Sequence, residues 1–284
     1  MGTFVELVLP IGSAFDELTN GVFADIERLE NKFSFFSVNG LLSSINRAPV
    51  GAEVAIDEEM HELLRLSLRV RDTSGRKFSP FVDEQKENSK VFRDFPKLEF
   101  SLRRNQLSLM KVTPFELDLG GIAKGFIVDQ VVERLVRRAP GVEGSINAGG
   151  DIRFFGQKEP CSVTLRVGSA ELGLVRELTM AAGAVATSSP DFADKFAAGS
   201  CAQSQTSFQR AAWPGVASVT VLAKSCALAD ALAKVALFSS QNEIELYAHA
   251  FAEEDCQILR FDSQGRLLDR AETQSVGECE AGPA

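Results

Sequence analysis

The spacing of apolar residues predicts five amphipathic helices along the chain. In the first, apolar side chains recur every three or four residues from Phe15 to Leu29. The second opens at Asp57, an N-cap residue followed by two glutamates, and ends at Thr73-Ser74-Gly75. The remaining three cover residues 126–136, 228–237 and 243–251.

Short apolar runs predict strands between these helices. The strands cover residues 4–9, 54–56, 98–102, 107–112, 163–167, 174–180 and 216–222, a further run ends near Asn147, and residues 258–268 form a hairpin. Residues 37–46 are predicted to be a connection, residues 84–95 a surface excursion and residues 271–284 a frayed tail. Because strands and helices are mixed without regular alternation, the predicted fold class is α+β, in one domain of two closely joined lobes over residues 1–270.

Composition and charge exclude several classes of function. No run approaches the roughly 18 apolar residues of a membrane span. A net charge of -9 argues against a nucleic-acid partner, which requires clustered basic residues. The five cysteines are scattered and suggest neither a disulfide framework nor a zinc site. The first residues show no export signal, which leaves open the cytoplasm or, if a leader has been removed, the cell envelope.

Two glycine clusters carry the most specific chemistry. The sequence D-L-G-G-I-A-K-G spans Asp118 to Gly125 and feeds the N-terminus of a predicted helix, where free backbone N–H groups favour a phosphate. The sequence N-A-G-G-D-I spans Asn147 to Ile152 and follows a predicted strand. Either cluster alone is more often a tight turn or a packing contact. Their order along the chain favours a shared nucleotide site.

These clusters and four further segments resemble the ApbE family of FAD:protein FMN transferases. The other segments are M-G-T at the start, Ile45-Asn46, A-T-S-S over residues 186–189, and S-V-T-V-L-A-K-S-C-A-L-A-D-A-L over residues 218–232. The resemblance implies a T-fold-like α+β architecture of antiparallel sheets and packed helices, with FAD in a cleft between two lobes. It also implies bound magnesium and the transfer of FMN from FAD to a threonine of a partner protein, with release of AMP.

The resemblance assigns roles to particular residues of this chain. It implies nucleotide contacts from Met1, Gly2, Thr3, Asp118, Gly120, Gly121, Lys124, Asn147, Gly149, Gly150, Asp151, Thr187 and Ser188. Magnesium would be held by Asp230 and a backbone carbonyl near Gly121, since this ion prefers hard oxygen ligands. Asp230, Lys124 and Lys234 are the predicted catalytic residues. Without the surrounding motif, Asp230 would be interpreted as a helix N-terminal charge.

Two departures from the family pattern leave alternatives open. Lys234 stands where the family usually has a threonine, four residues after the aspartate. Its ammonium is predicted to replace the metal, to pair with phosphate as a point charge, or to face solvent. The family's H-x-x-D-P-x-T-G segment is missing from residues 198–215. A degenerate FAD-binding protein without turnover is therefore the alternative function, and a ligand-free interaction partner is a third.

Smaller features have plainer interpretations. His61 and His249 are predicted to be partly buried or surface residues without a metal. Arg76 and Lys77 are predicted to meet phosphate or solvent. Phe33, Phe35 and Phe36 are predicted to pack in the core, with stacking on a flavin ring as the alternative.

Overall fold

The structure is a computed structural model that describes residues 2–10, 15–82, 96–169, 172–180, 182–190 and 212–272. Met1, the predicted surface excursion at residues 84–95 and most of the segment at residues 198–215 lie outside this description. Among the described residues, no helix combines the length and apolar character needed to cross a membrane.

Six α-helices and twelve strands make up the described part of the chain. The helices are α1 (Phe15–Phe33), α2 (Leu41–Arg47), α3 (Glu58–Thr73), α4 (Ala123–Arg138), α5 (Cys226–Ala236) and α6 (Gln241–Ala250). The strands are β1 (Val5–Val8), β2 (Glu53–Ala55), β3 (Leu98–Arg103), β4 (Gln106–Lys111), β5 (Gly144–Ala148), β6 (Asp151–Phe155), β7 (Cys161–Arg166), β8 (Val175–Met180), β9 (Gly183–Ser188), β10 (Ser218–Ala223), β11 (Gln257–Phe261) and β12 (Leu267–Glu272). This confirms the α+β fold class.

The strands form three antiparallel sheets. Seven strands lie in the order β1-β5-β6-β9-β10-β11-β12, three in the order β2-β4-β3, and β7 pairs with β8. In the large sheet, Val5 pairs with Ala148, Ala148 with Asp151, and Ile152 with Val185. This register brings the start of β1, the β5–β6 turn and the end of β9 to the same end of the sheet.

Helices α4 and α5 pack together against this sheet and form the centre of the core. Every residue of α5 except Lys234 is buried, and small side chains fill most of its positions. A Cβ atom at Gly125 would lie 2.3 Å from the carbonyl oxygen of Cys226, so glycine permits the close approach of the two helices.

Most predicted elements are confirmed. The exceptions are a predicted connection that forms a helix, two strands that were not predicted, and a strand that extends into the predicted tail. Residues 41–47 form helix α2, in which Leu42 and Ile45 are fully buried. The helix was not predicted because its few apolar residues do not extend over enough turns to show a helical period. Strands β6 and β9 were not predicted, because β9 consists of small residues buried on both faces and shows no alternation. Strand β12 reaches Glu272 and so includes two residues of the predicted tail, whereas residues 273–284 lie outside the description. The division into two lobes stays a prediction.

Candidate active site

The first glycine cluster forms a turn that leads into helix α4. Asn46 fixes the chain before this turn, since its amide donates to the carbonyl of Leu117 and accepts from the Leu117 N–H, both at 2.9 Å. The carboxylate of Asp118 accepts from the Gly120 N–H at 2.8 Å. Burial raises the pKa of Asp118, and the hydrogen bond from Gly120 opposes this shift. Lys124 then lies in the first turn of α4.

The second glycine cluster forms the turn between β5 and β6. The side-chain oxygen of Asn147 accepts from the Gly150 N–H at 2.9 Å. Gly149 has φ of 63°, and a Cβ atom there would lie 2.2 Å from the hydroxyl oxygen of Thr3. Only glycine combines this backbone conformation with so close a contact. The turn and the first residues of the chain therefore meet, with Gly2 exposed beside them.

Lys124 joins the two clusters to helix α5. Its ammonium forms an ion pair with Asp151, lies 3.8 Å from Oδ1 of Asp230, and donates to the carbonyl of Ala148 at 3.4 Å. Burial lowers the pKa of Lys124, and the neighbouring Asp230 opposes that shift. Three segments that are distant in sequence thus share one group of charges.

Lys234 occupies the position between the two predicted magnesium ligands. Its ammonium pairs with Oδ1 of Asp230 and donates to the carbonyl oxygen of Gly121 at 3.0 Å. The other carboxylate oxygen of Asp230, Oδ2, is buried and has no hydrogen-bond partner within the described ranges. Among those residues, no cluster of three or more His, Cys, Asp and Glu side chains resembles a metal site. In this arrangement the donor set does not fit magnesium, because an ammonium already holds both expected oxygens.

The A-T-S-S segment ends strand β9 at the same end of the sheet. The hydroxyl oxygens of Thr187 and Thr220 lie 2.9 Å apart, and Ser188 pairs with Val219 of β10. The hydroxyls of Ser189 and Thr3 are buried without a partner in the part of the chain that the structure describes. Unsatisfied buried polar atoms are costly, so this end of the sheet is suited to a polar ligand.

Sequence reasoning missed Asp129 and Arg153. The carboxylate of Asp129 accepts from the N–H groups of Cys226 and Ala227, each at 2.9 Å, and forms an ion pair with Arg153. Burial raises the pKa of Asp129 to about 6 against the lowering effect of Arg153. No local pattern marks this aspartate as the cap of a helix that begins 97 residues later.

The smaller interpretations have different outcomes. Lys77 pairs with Glu243 and donates to the carbonyl of Phe238 at 3.1 Å, so its ammonium is held by protein groups and largely withdrawn from solvent. Phe33 is buried edge-to-face against Phe126, which confirms its place in the core. The same prediction is wrong for Phe36, which is 53% exposed, while Phe35 is half-buried. The ring of His61 packs edge-on against Phe100.

Two open grooves lie elsewhere on the molecule. Their volumes are about 910 and 1100 Å³, and both are lined by residues of α4 together with Arg153 and Lys224. Neither groove is lined by a residue that the sequence predicts for the site. The candidate site is therefore marked by its charges and unsatisfied polar atoms, and these two grooves lie apart from it.

Fold and site together describe an α+β protein in which two glycine turns, two lysines and two aspartates meet at one end of an antiparallel sheet. The sequence matches the model of the ApbE family over residues 1–258, and the chain belongs to this family. A search of curated proteins gives no match.

Several solved structures share the fold of this chain. The ApbE protein from Thermotoga maritima has a TM-score of 0.70 and 22% identity, covering 95% of this chain and 94% of that one. The flavin transferase ApbE from Vibrio cholerae has a TM-score of 0.69 and 18% identity, with coverage of 96% and 94%. The flavinyl transferase ApbE from Pseudomonas stutzeri, in its apo form, has a TM-score of 0.65 and 18% identity, with coverage of 96% and 95%.

Proposed function

We propose that this chain is a flavin transferase that binds FAD and moves FMN to a threonine of a partner protein, releasing AMP. One observation carries the proposal. Three of the buried polar atoms that lack a hydrogen-bond partner among the described residues, on Thr3, Ser189 and Asp230, lie in segments that the family resemblance assigns to the nucleotide or to the metal. The family membership supports the same class of activity, and two similar structures are those of a flavin transferase and a flavinyl transferase.

The site residues suit cleavage of a diphosphate. In the proposed reaction, the threonine oxygen forms a bond to the FMN phosphorus, the bond to the AMP phosphate breaks, and the hydroxyl proton passes to solvent. Negative charge builds on the departing phosphate, so fixed cations and N–H donors accelerate the step. Lys124 and Lys234 supply two cations. The N–H groups of Gly120, Gly149 and Gly150 already donate within the protein, so the lysines carry the electrostatic argument. Magnesium, expected from the resemblance, enters no step here because the donor set is already engaged.

The arrangement of Lys234 also favours the second candidate, a protein that holds FAD without turnover. A lysine that replaces both a hydroxyl ligand and a divalent cation supplies less charge to the departing phosphate. Both candidates require the same nucleotide contacts and differ only in the fate of FAD.

A direct assay separates the two candidates. The protein is incubated with FAD and a threonine-bearing acceptor peptide, and mass spectrometry and chromatography follow the peptide mass and free AMP. We expect the peptide to gain FMN while an equal amount of AMP appears. Intact FAD that stays bound would favour the second candidate, and no FAD binding at all would remove both.

A matched pair of lysine variants tests the assigned site. Lys124→Met is expected to lower the transfer rate about a hundredfold, because it removes a cation beside the reacting phosphates. Lys158→Met is the control, since this side chain is 83% exposed and pairs only with Glu143 at 3.3 Å among the described residues. Equal rates in the two variants would contradict the role of Lys124.

A further inference from the structure

Helix α5 presents one charged group at the boundary between core and solvent. Lys234 lies four residues after Asp230, so the two side chains share a face of the helix. The side chain of Asp230 is 3% exposed and that of Lys234 is 24% exposed, while the rest of α5 is buried. The ammonium is therefore held by the core and remains accessible from outside.

The contacts of this ammonium match those expected of a bound cation. It engages the carboxylate of Asp230 and the carbonyl of Gly121, which comes from a segment 113 residues away. A lysine ammonium has three donors. Two of them have protein partners within the described residues, which leaves one for an oxygen of a ligand.

Charge argues against a divalent ion joining this arrangement. Lys124 and Lys234 face Asp151 and Asp230, so the two positive charges already balance two negative charges. Magnesium requires near-octahedral oxygen ligands at short distances. Of the two expected ligands, Gly121 and Oδ1 of Asp230 are engaged by Lys234, which leaves Oδ2 of Asp230 beside two ammonium groups that repel a divalent cation.

We infer that the Lys234 ammonium is a built-in cation at this site and that the chain binds its diphosphate ligand without an added divalent metal. The identity of that ligand as FAD rests on the proposed function. The inference goes further, because it assigns the compensating charge to a residue of the chain and removes a cofactor expected from the family.

A rival arrangement makes the opposite prediction. The flexible stem of lysine allows Lys234 to swing outward, which would free Gly121 and Asp230 to bind magnesium. Metal would then be required for tight FAD binding, and the wild-type protein would bind metal readily.

The first experiment needs no FAD. Binding of Mn²⁺ alone is followed by the loss of its free electron paramagnetic resonance signal in wild type, Lys234→Thr and the control Lys158→Thr. We expect Lys234→Thr to bind Mn²⁺ at least about tenfold more tightly than the other two proteins, since it loses the competing ammonium. Similar Mn²⁺ binding by all three proteins, whether tight or absent, would overturn the inference.

The second experiment measures FAD affinity by calorimetry in magnesium and in EDTA. The wild type is expected to change less than about twofold between the two buffers, whereas Lys234→Thr should lose about tenfold in EDTA and recover with magnesium. A tenfold loss for the wild type in EDTA would support the rival arrangement and overturn ours.

These outcomes separate the inference from the proposed function. If the wild type binds no FAD in either buffer, the proposed function fails while the Mn²⁺ comparison still decides the role of Lys234. If Lys234→Thr does not fold, wild-type FAD binding in EDTA decides the question.

Discussion

Two buried aspartates on neighbouring helices differ in how completely their oxygens are used. Asp129 of α4 and Asp230 of α5 are 5% and 2% exposed, and each forms an ion pair. Both oxygens of Asp129 accept from backbone N–H groups at the start of α5, whereas Oδ2 of Asp230 has no partner among the described residues. A satisfied carboxylate stabilises the helix it caps, and an unsatisfied one is available to a ligand.

This contrast shows which aspartate interacts with the N-terminus of helix α5. The plain interpretation of Asp230 was a charge near the N-terminus of its helix. The structure gives that role to Asp129, which lies on a different helix. The hydrogen-bond partners of a buried carboxylate therefore indicate its role more reliably than its position in a helix does.

The pH dependence of stability is expected to show the largest effect. The folded state holds the Asp129 proton more tightly than the unfolded state does, because the pKa is about 6 when folded and 3.8 in the reference state. This contribution is complete below about pH 4 and is lost as pH rises through about 6, a total of about 3 kcal/mol. Urea unfolding of wild type and Asp129→Asn is measured across this pH range. The free energy of unfolding of the wild type, relative to that of Asp129→Asn, should fall as pH rises. A constant difference would contradict the raised pKa.

Removal of the Asp129 side chain is expected to have the next largest effect. Near neutral pH, Asp129→Ala should lower the free energy of unfolding by about 2 kcal/mol, because two N–H groups lose their acceptor while the cost of burying the charge disappears. The control is Glu133→Ala, a 48% exposed position on the same helix that should change stability by less than about 0.5 kcal/mol. Equal losses would mean that Asp129 contributes no more than a surface residue.

Asp230→Asn is expected to have the smallest effect on stability. The loss should be about 1 kcal/mol or less, because its lysine partners are 22% and 24% exposed and retain other contacts. FMN transfer by the same variant should fall about a hundredfold. A stability loss as large as that of Asp129→Ala would make Asp230 a structural residue and end the contrast.

Local sequence signals were sufficient for much of the secondary structure. The side chain of Asp57 caps α3 by accepting from the Met60 N–H at 3.0 Å, as its position before two glutamates predicts. The hairpin of β11 and β12 likewise forms around its predicted turn. Such signals act within a few residues and are present in the sequence itself.

The amino-acid sequence by itself determined the fold class, most helices and the segments that the structure brings together at the candidate site. Tertiary structure alone decided the order of the seven strands and the division of roles between Asp129 and Asp230. It also placed the Lys234 ammonium against Gly121, where the sequence left three alternatives open. These outcomes depend on contacts between segments about a hundred residues apart, and the free energy of such contacts depends on burial and geometry that no local pattern encodes.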